Sequence, residues 1–336
     1  MPQNEIVQTV KLLDEHGNLN QAGYAKHMVF EYDPKAVKRK NRLKEWDFYQ
    51  VHFDNRYSLQ LTLGHVSYAM QVNATLLDLQ TGTKRTTGKI ATVPQSFKDS
   101  MPTNPEVANK LQYYSNNFHV QFDVTDKYRR LCFTQTDARG VKAEINLMLT
   151  NVGSAKEKMV IATPFDKKGQ FYLNYKENCF VVNGTCRIED MCYEIHNGFG
   201  LLDWGRGVWP YSHEWIWGNG GTVVNGKHFG FNIGWGFGNT EQATENMFFY
   251  NNKAYKLGEV TETKVGDKLH YEDADKRFVF DVEPIFDHHT HTNVVVVNNK
   301  CNQIYGKWSG YVLLDDGTKI EVPTFIAFCE HAVNHW

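Results

Sequence analysis

Apolar and polar residues alternate along much of this chain, with a period of two. Tyr57, Leu59, Leu61 and Leu63 are interleaved with Ser58, Gln60 and Thr62, and Phe118, Val120, Phe122 and Val124 with His119, Gln121 and Asp123. Ala143, Ile145, Leu147 and Leu149 repeat the pattern. Successive side chains of a strand point to opposite faces, so this alternation predicts half-buried strands. Further strands are expected at His228–Phe237, Met247–Tyr250, Arg277–Val282, Val294–Val297, Tyr305–Leu314 and Lys319–Phe328. Thr81-Gly82, Asn183-Gly184, Asn225-Gly226 and Asp316-Gly317 sit between such runs and mark hairpin turns. No amphipathic helical run exceeds three turns. The longest loop, Ser96–Asn117, is expected to carry a short helix around Pro105–Leu111 and to cover a barrel mouth.

Many short strands joined by hairpins give an all-β protein built of antiparallel barrels or sandwiches. The 336 residues suffice for two such units, and we expect an N-terminal one over residues 1–200 and a C-terminal one over 201–336. Aromatic residues at 14% favour the same class, because they fit a pleated surface.

The stretch Gly198–Gly218, GFGLLDWGRGVWPYSHEWIWG, falls at the junction of the two units and holds four of the eight tryptophans. Trp204, Trp209, Trp215 and Trp217 are interleaved with Asp203, Arg206, Tyr211, His213 and Glu214. Indole rings offer large, rigid binding surface, whereas polar groups in a plain core each need a partner. We therefore read the stretch as the lining of a ligand site; the alternative is a buried, salt-bridged corner. Asn232, Glu245, Asn246 and Gln303 are candidate ligand contacts in the following hairpins. A carboxyl walled by aromatics is desolvated and holds its proton longer, and ring faces attract a carbocation. Asp203 is thus the candidate acid and His213 the candidate relay, unless Arg206 ties Asp203 into an ion pair.

Charge and cysteines narrow the class. The net charge of -2 and pI of about 6.7 do not steer the chain to nucleic acid or acidic membranes. A basic run, Lys35, Lys38, Arg39, Lys40, Arg42 and Lys44, reads as a solvated loop or, alternatively, an anion-binding edge. Without a signal peptide at the opening residues or an apolar run long enough to span a bilayer, a cytoplasmic location is expected. Six scattered cysteines fit reduced thiols. His288, His289 and His291 lack the companion motif of a zinc site and read as a solvated edge, and His331 beside Glu330 as packing of the last strand. No phosphate-binding glycine motif follows a strand, so no nucleotide cofactor and no metal are expected.

The segments DWGRGVWPYSHEWIWG (203–218), NIGWGFGNTEQATEN (232–246), QIYGKWSGYVLLDDGTKI (303–320) and FCEHAVNHW (328–336) resemble a family of bacterial and fungal proteins known as a domain of unknown function. The resemblance runs from about Gln21 to the end, and Asp-Trp-Gly-Arg-Gly-x-Trp-Pro-Tyr is its most specific motif. That family is distantly similar to carotenoid hydratases, AttH-like proteins and tocopherol-cyclase-like proteins, which implies two lipocalin-like β-barrels in tandem. The carotenoid hydratases add water to an alkene without a cofactor, using a His-x-Trp element with Tyr and Asp nearby. His213-Glu214-Trp215 resembles that element, with Asp203 and Tyr211 as neighbours. The expected function is a cofactor-independent hydratase, cyclase or isomerase acting on a small apolar or amphipathic molecule. The rivals are a non-catalytic carrier of a lipid, terpenoid or sugar, and a carbohydrate-active lyase or hydrolase.

Overall fold

A computed structural model describes residues 3–294 and 297–336. Nearly every strand neighbour is antiparallel, and the strands form two large sheets, each curled into a half-barrel, standing in tandem as lipocalin-like units. In the first sheet the hydrogen-bonded order runs Thr83–Thr92, Ala69–Asp78, Tyr57–His65, Lys44–Phe53, Met191–Val208, Phe171–Ile188, Gly140–Thr150, Arg129–Asp137, Phe118–Val124, Asn109–Ser115. Met159–Pro164 pairs with the first half of Phe171–Ile188 and carries Gly23–Ala25 on its far side. The second sheet runs Lys253–Lys256, Met247–Tyr250, Lys227–Trp235, Ser212–Val224, Lys319–His335, Val297–Leu313, Phe278–Val294, Lys268–Asp273, Val260–Val265. The chain passes from one sheet to the other between Val208 and Ser212.

The strands of the junction are buried on both faces, and parity decides which way each side chain goes. In Met191–Val208 the even positions Leu202, Trp204 and Val208 fill the first barrel, while Leu201 and Asp203 face the second sheet. In Ser212–Val224, His213, Trp215, Trp217 and Asn219 share the face turned to the first sheet. Phe229, Phe231 and Ile233 of the next strand fill the second barrel, and Asn232 turns to the seam. A bulge between Glu177 and Phe180, with Cys179 at φ 63°, reverses the parity of the long Phe171–Ile188 strand. Before it, Leu173 and Tyr175 point into the barrel; after it, Phe180 and Val182 do. Lys176 and Asn178 are thereby left facing the seam.

The first barrel is filled rather than hollow. Arg206 pairs with Asp47 at 2.9 Å and Glu45 at 3.5 Å, and its guanidinium lies 3.9 Å from the Trp204 ring centroid. Arg129 pairs with Glu177 at 2.9 Å, and Lys156 reaches the same carboxylate at 3.4 Å. Both arginines also donate to the loop above them, Arg206 to the Pro102 carbonyl at 3.0 Å and Arg129 to the Pro105 carbonyl at 2.8 Å. The loop so covers the interior as expected. The helix lies at Gln95–Asp99, however, and not around Pro105–Leu111, where Asn109–Ser115 is a strand. Leu111 is buried there and cross-strand pairing with Phe118–Val124 wins over a local helix.

Several strands outrun their expected lengths, Phe278–Val294 and Val297–Leu313 among them, because their polar halves still pair edge to edge. The middle of the expected Val294–Val297 strand lies outside the described residues. No helix among the described residues is long and apolar enough to cross a membrane, and all six cysteines are free.

Candidate active site at the seam

The tryptophan-rich stretch divides among three places. Trp204 and Arg206 belong to the first barrel, where Tyr32 meets Trp204 edge-on at 6.2 Å. Asp203, three positions before Arg206, is on the opposite face and does not pair with it. Its carboxylate takes Lys176 Nζ at 3.2 Å and accepts from Asn174 Nδ2 at 2.6 Å. The expected Asp203–Arg206 alternative is thus replaced by an Asp203–Lys176 pair, and the reason is strand parity. Tyr211 is 45% exposed near His335, and Glu214 points outward to His331 at 3.3 Å.

Around Lys176 the sheets bring together most of the remaining candidates. Lys176 Nζ lies 3.8 Å from the Trp217 ring centroid and 3.7 Å from Glu245. Trp217 Nε1 donates to Asn232 Oδ1 at 2.7 Å, and Asn232 Nδ2 donates to Glu245 Oε2 at 3.1 Å. Asn246 stands apart from this group. It accepts from the Gly234 amide at 2.7 Å and donates to the Gly258 carbonyl at 2.8 Å, fastening two loops.

Glu330, the neighbour of His331, completes the cluster. It accepts from Trp215 Nε1 at 2.9 Å and from Gln303 Nε2 at 3.0 Å. Gln303 is itself held by Gln60 at 2.6 Å and by the Tyr305 hydroxyl at 2.7 Å. Burial pushes the Glu330 carboxyl above the usual glutamate range, and the nearby Asp203 adds to this against the bond from Trp215 and the charge of Lys176. Three carboxyls thus gather around Lys176. Lys256, the next cation near Glu245, is pushed down to about 7 by burial and is occupied by Thr244 and the Asn246 and Leu257 carbonyls.

On the outer side of Trp215 the rings pack edge to face. Trp209 touches Trp46, Tyr172, Phe237, His213 and Trp336 at centroid distances of 5.4–5.9 Å. His213 stacks on Trp215 at 5.7 Å. Its Nδ1 must be protonated to donate to the Pro210 carbonyl at 3.0 Å, while Nε2 accepts from Trp209 Nε1 at 3.2 Å. It is a neutral imidazole with both nitrogens used, and burial, with Lys44 nearby, lowers it to about 3. An imidazole so placed is an orienting group at neutral pH. Lys44, expected in a solvated run, is instead 2% exposed beneath Trp209 and Trp336, with Nζ 4.6 and 5.3 Å from their centroids, and burial lowers it to about 7. Beyond these rings an open cleft of roughly 440 Å³ is lined by Phe165, Pro210, His213, Glu214, Phe237 and Val333 among others. Trp215 therefore has the His213 side of the cleft on one hand and the Glu330 carboxyl on the other.

The histidines of Phe278–Val294 separate. His288 is buried and lowered to about 4 by that burial, whereas His289 and His291 are exposed on the other face. No group of three metal-ligating side chains forms among the described residues. Lys176 and Lys44 were missed by sequence reasoning, and Glu330 entered it only as one of the carboxylates of a carbohydrate-active alternative, not as the acid. Glu330 had a signal available, since Phe328, Glu330 and Ala332 alternate with buried Ala327 and Cys329 in a strand apolar on both faces.

No curated protein sequence matches significantly. Among solved structures, the chain is similar to one described as AttH from Nitrosomonas europaea, at 11% identity and a TM-score of 0.53, covering 86% of this chain and 92% of that one. It is likewise similar to kievitone hydratase from Nectria haematococca, at 9% identity and a TM-score of 0.53, covering 87% and 88%. At such identities the likeness shows the fold. The sequence model of the DUF2804 family, a domain of unknown function, matches residues 3–336, and the chain belongs to that family.

Proposed function

We propose that the protein is a cofactor-independent acid-base enzyme of the hydratase, cyclase or isomerase type, acting on a small amphipathic molecule that enters by the His213 cleft. The observation that carries this reading is Glu330: a half-buried carboxyl, raised by desolvation, hydrogen-bonded to an indole that packs on the cleft residues His213 and Phe237. A proton donor must be held in its acid form and face a dry, cation-tolerant surface. Glu330 fits that role better than Asp203, which is already held by Lys176 and Asn174. In hydration, Glu330 gives its proton to one alkene carbon and the π pair becomes the new C–H bond. The cation left on the neighbouring carbon lies against Trp215 and Trp217. A water oxygen closes on that carbon, and the proton it sheds returns to the Glu330 carboxylate. In isomerisation the returning proton comes from an adjacent C–H instead. Trp215 must tilt away from Glu330 for the substrate to reach it.

The reading is tested by incubating the protein in isotopically heavy water with kievitone, the compound for which one fold neighbour is named, and with simple trisubstituted alkenes. Mass spectrometry should show gain of one water or exchange of a vinylic proton, and Glu330→Gln should lose it. Turnover undiminished in Glu330→Gln would overturn the assignment. A second reading, a carrier without turnover, is favoured by the close packing of the rings around Trp209, which leaves the cleft as the open space on that side.

A further inference from the structure

The basic run at Lys35–Lys44 meets a second basic pair on the surface, and together they border the cleft. Lys35, Lys38, Arg39 and Lys40 are exposed, and Arg42 is half-buried, donating from Nη2 to the Trp209 carbonyl at 3.3 Å. Arg39 comes up against Gly169, whose neighbours Lys167 and Lys168 are exposed and follow the cleft residues Phe165 and Asp166. At the other end, Ser67 holds the Lys40 carbonyl through its hydroxyl at 2.9 Å, and Tyr68 stands beside Arg42 and Tyr211. The sequence 38–42 and the sequence 165–169 are thereby placed on one rim.

Seven cations lie on that rim, and none of them joins an ion pair among the described residues, whereas charges clustered elsewhere do, as Arg85 with Glu189 and Asp190 and Glu272 with His270 and Lys276. Asp14, Glu15, Asp33, Asp166 and the cleft residue Glu214 are the acids in the same neighbourhood; Asp14 and Asp33 are engaged by backbone amides of their own turns, and Glu214 faces His331. A chain of net charge -2 has therefore collected an unbalanced positive edge at one place. Tyr68 and Tyr211, 47% and 45% exposed, add two amphipathic rings to the same edge. Tyrosine at the level of lipid head groups, with lysine and arginine around it, is the composition by which proteins settle on anionic bilayers.

We infer that this rim docks the protein on an anionic lipid surface, with the His213 cleft turned toward the bilayer. Two considerations favour a surface over a single small anion. The cations are spread along an edge rather than converging on one point, and Tyr68 and Tyr211 protrude beside them. This goes beyond the acid-base reading and does not depend on it: the rim contains neither Glu330 nor any seam carboxyl.

The test is vesicle flotation of the full chain with two lipid mixtures, phosphatidylcholine alone and phosphatidylcholine with one quarter phosphatidylglycerol. We expect association with the second and not the first, falling at least about tenfold from low to physiological salt. The charge-reversed variant K38E/R39E/K40E should lose binding at least about tenfold, since three contacts of the edge are inverted. K253E/K264E/K268E, three exposed lysines of the second sheet, should keep it. All of these positions are exposed, and thermal melting checks that each variant is folded; if the first is not, the salt and lipid dependence of the unaltered chain still decides. Binding to neither mixture, equal binding to both, or undiminished binding by folded K38E/R39E/K40E would overturn the inference. So would binding to polyuridylate with none to vesicles, which would mark the rim as a nucleic-acid edge.

Discussion

Two buried ionic clusters lie within one strand's thickness of each other, on opposite faces of Met191–Val208, and they differ in their charge balance. Inside the first barrel Arg206, Arg129, Lys156 and Lys158 meet Glu45, Asp47, Glu177 and Glu106, four cations against four acids. At the seam Asp203, Glu245 and Glu330 gather near Lys176, three acids against one cation that touches two of them. In the barrel, burial pushes Glu177 up but Lys156, Arg129 and Lys158 bring it below the usual glutamate range. At the seam burial raises Glu330 and the surrounding charges do not undo it. Burial also raises Asp47 in the barrel in spite of Arg206, so what sets Glu330 apart is that its carboxyl joins no ion pair among the described residues, whereas Asp47 is fastened to a guanidinium. Burying uncompensated carboxylates is costly, and holding a proton is the cheapest remedy.

That contrast can be broken from the barrel side with the largest effect. Arg206→Met leaves Glu45 and Asp47 without their guanidinium, and breaking a buried pair costs about 3–5 kcal/mol. We expect a melting temperature lower by roughly 8–15 °C, or no folded protein, in a thermal denaturation experiment. Glu330→Gln, on the seam side, should instead leave the melting temperature within a few degrees while removing turnover by about 10²–10⁴-fold. If both substitutions behaved alike, the distinction between scaffold and proton store would fail. Asp203→Asn is expected to fall between them in activity, because it removes an orienting anion but spares the donor.

A pH titration sharpens the comparison further. His213 is lowered to about 3, and His52 and His288 to about 4, each chiefly by burial. Their folded values lie below the unfolded one near 6.5, so the stability they contribute is present above that value and is lost as pH falls toward 4 and 3. Unfolding free energy should decline between about pH 6.5 and 3, measured by denaturant titration, and a His213→Asn variant should decline less. The smallest effect is expected of Lys44→Met. Lys44 is lowered to about 7 by burial without a carboxylate partner, so between about pH 7 and the unfolded value near 10.4 the unfolded chain holds a proton that the folded chain has released, and stability falls as pH drops through that window. The variant's stability should change less with pH than the parent's between about pH 7 and 10.4, the parent losing about 1 kcal/mol more than the variant for each unit by which pH falls through that window.

Much of this was legible in the chain, and the reason is parity. The alternation at Tyr57–Leu63, Phe118–Val124 and Ala143–Leu149 led directly to strands that the structure contains. The tryptophans of 198–218 lie where the chain passes from one sheet to the other, and a strand buried on both faces has no solvent side to fill with lysine and glutamate. The same rule, applied one step further, excludes the Asp203–Arg206 pair: residues three apart on a strand face opposite ways. That Lys176 and Glu330 meet Asp203 was not legible, because they come from strands tens to more than a hundred residues away and Lys176 lies beside a bulge at Cys179, even though the alternation around Glu330 marked it as facing inward. Lys44 was misread for a related reason. It ends a run of solvated cations, and only the fold of Trp209 and Trp336 over it reveals that it is buried.

The central claim is that Glu330 keeps its proton where an ordinary glutamate has lost it. Infrared difference spectra between the parent and Glu330→Gln, recorded as pH is raised, read that proton directly through the carbonyl stretch of the acid. The account predicts a protonated-carboxyl band, absent from the variant, that persists above the ordinary glutamate value of about 4.3. A band that vanishes at or below that value, or no difference between the two proteins, would contradict it.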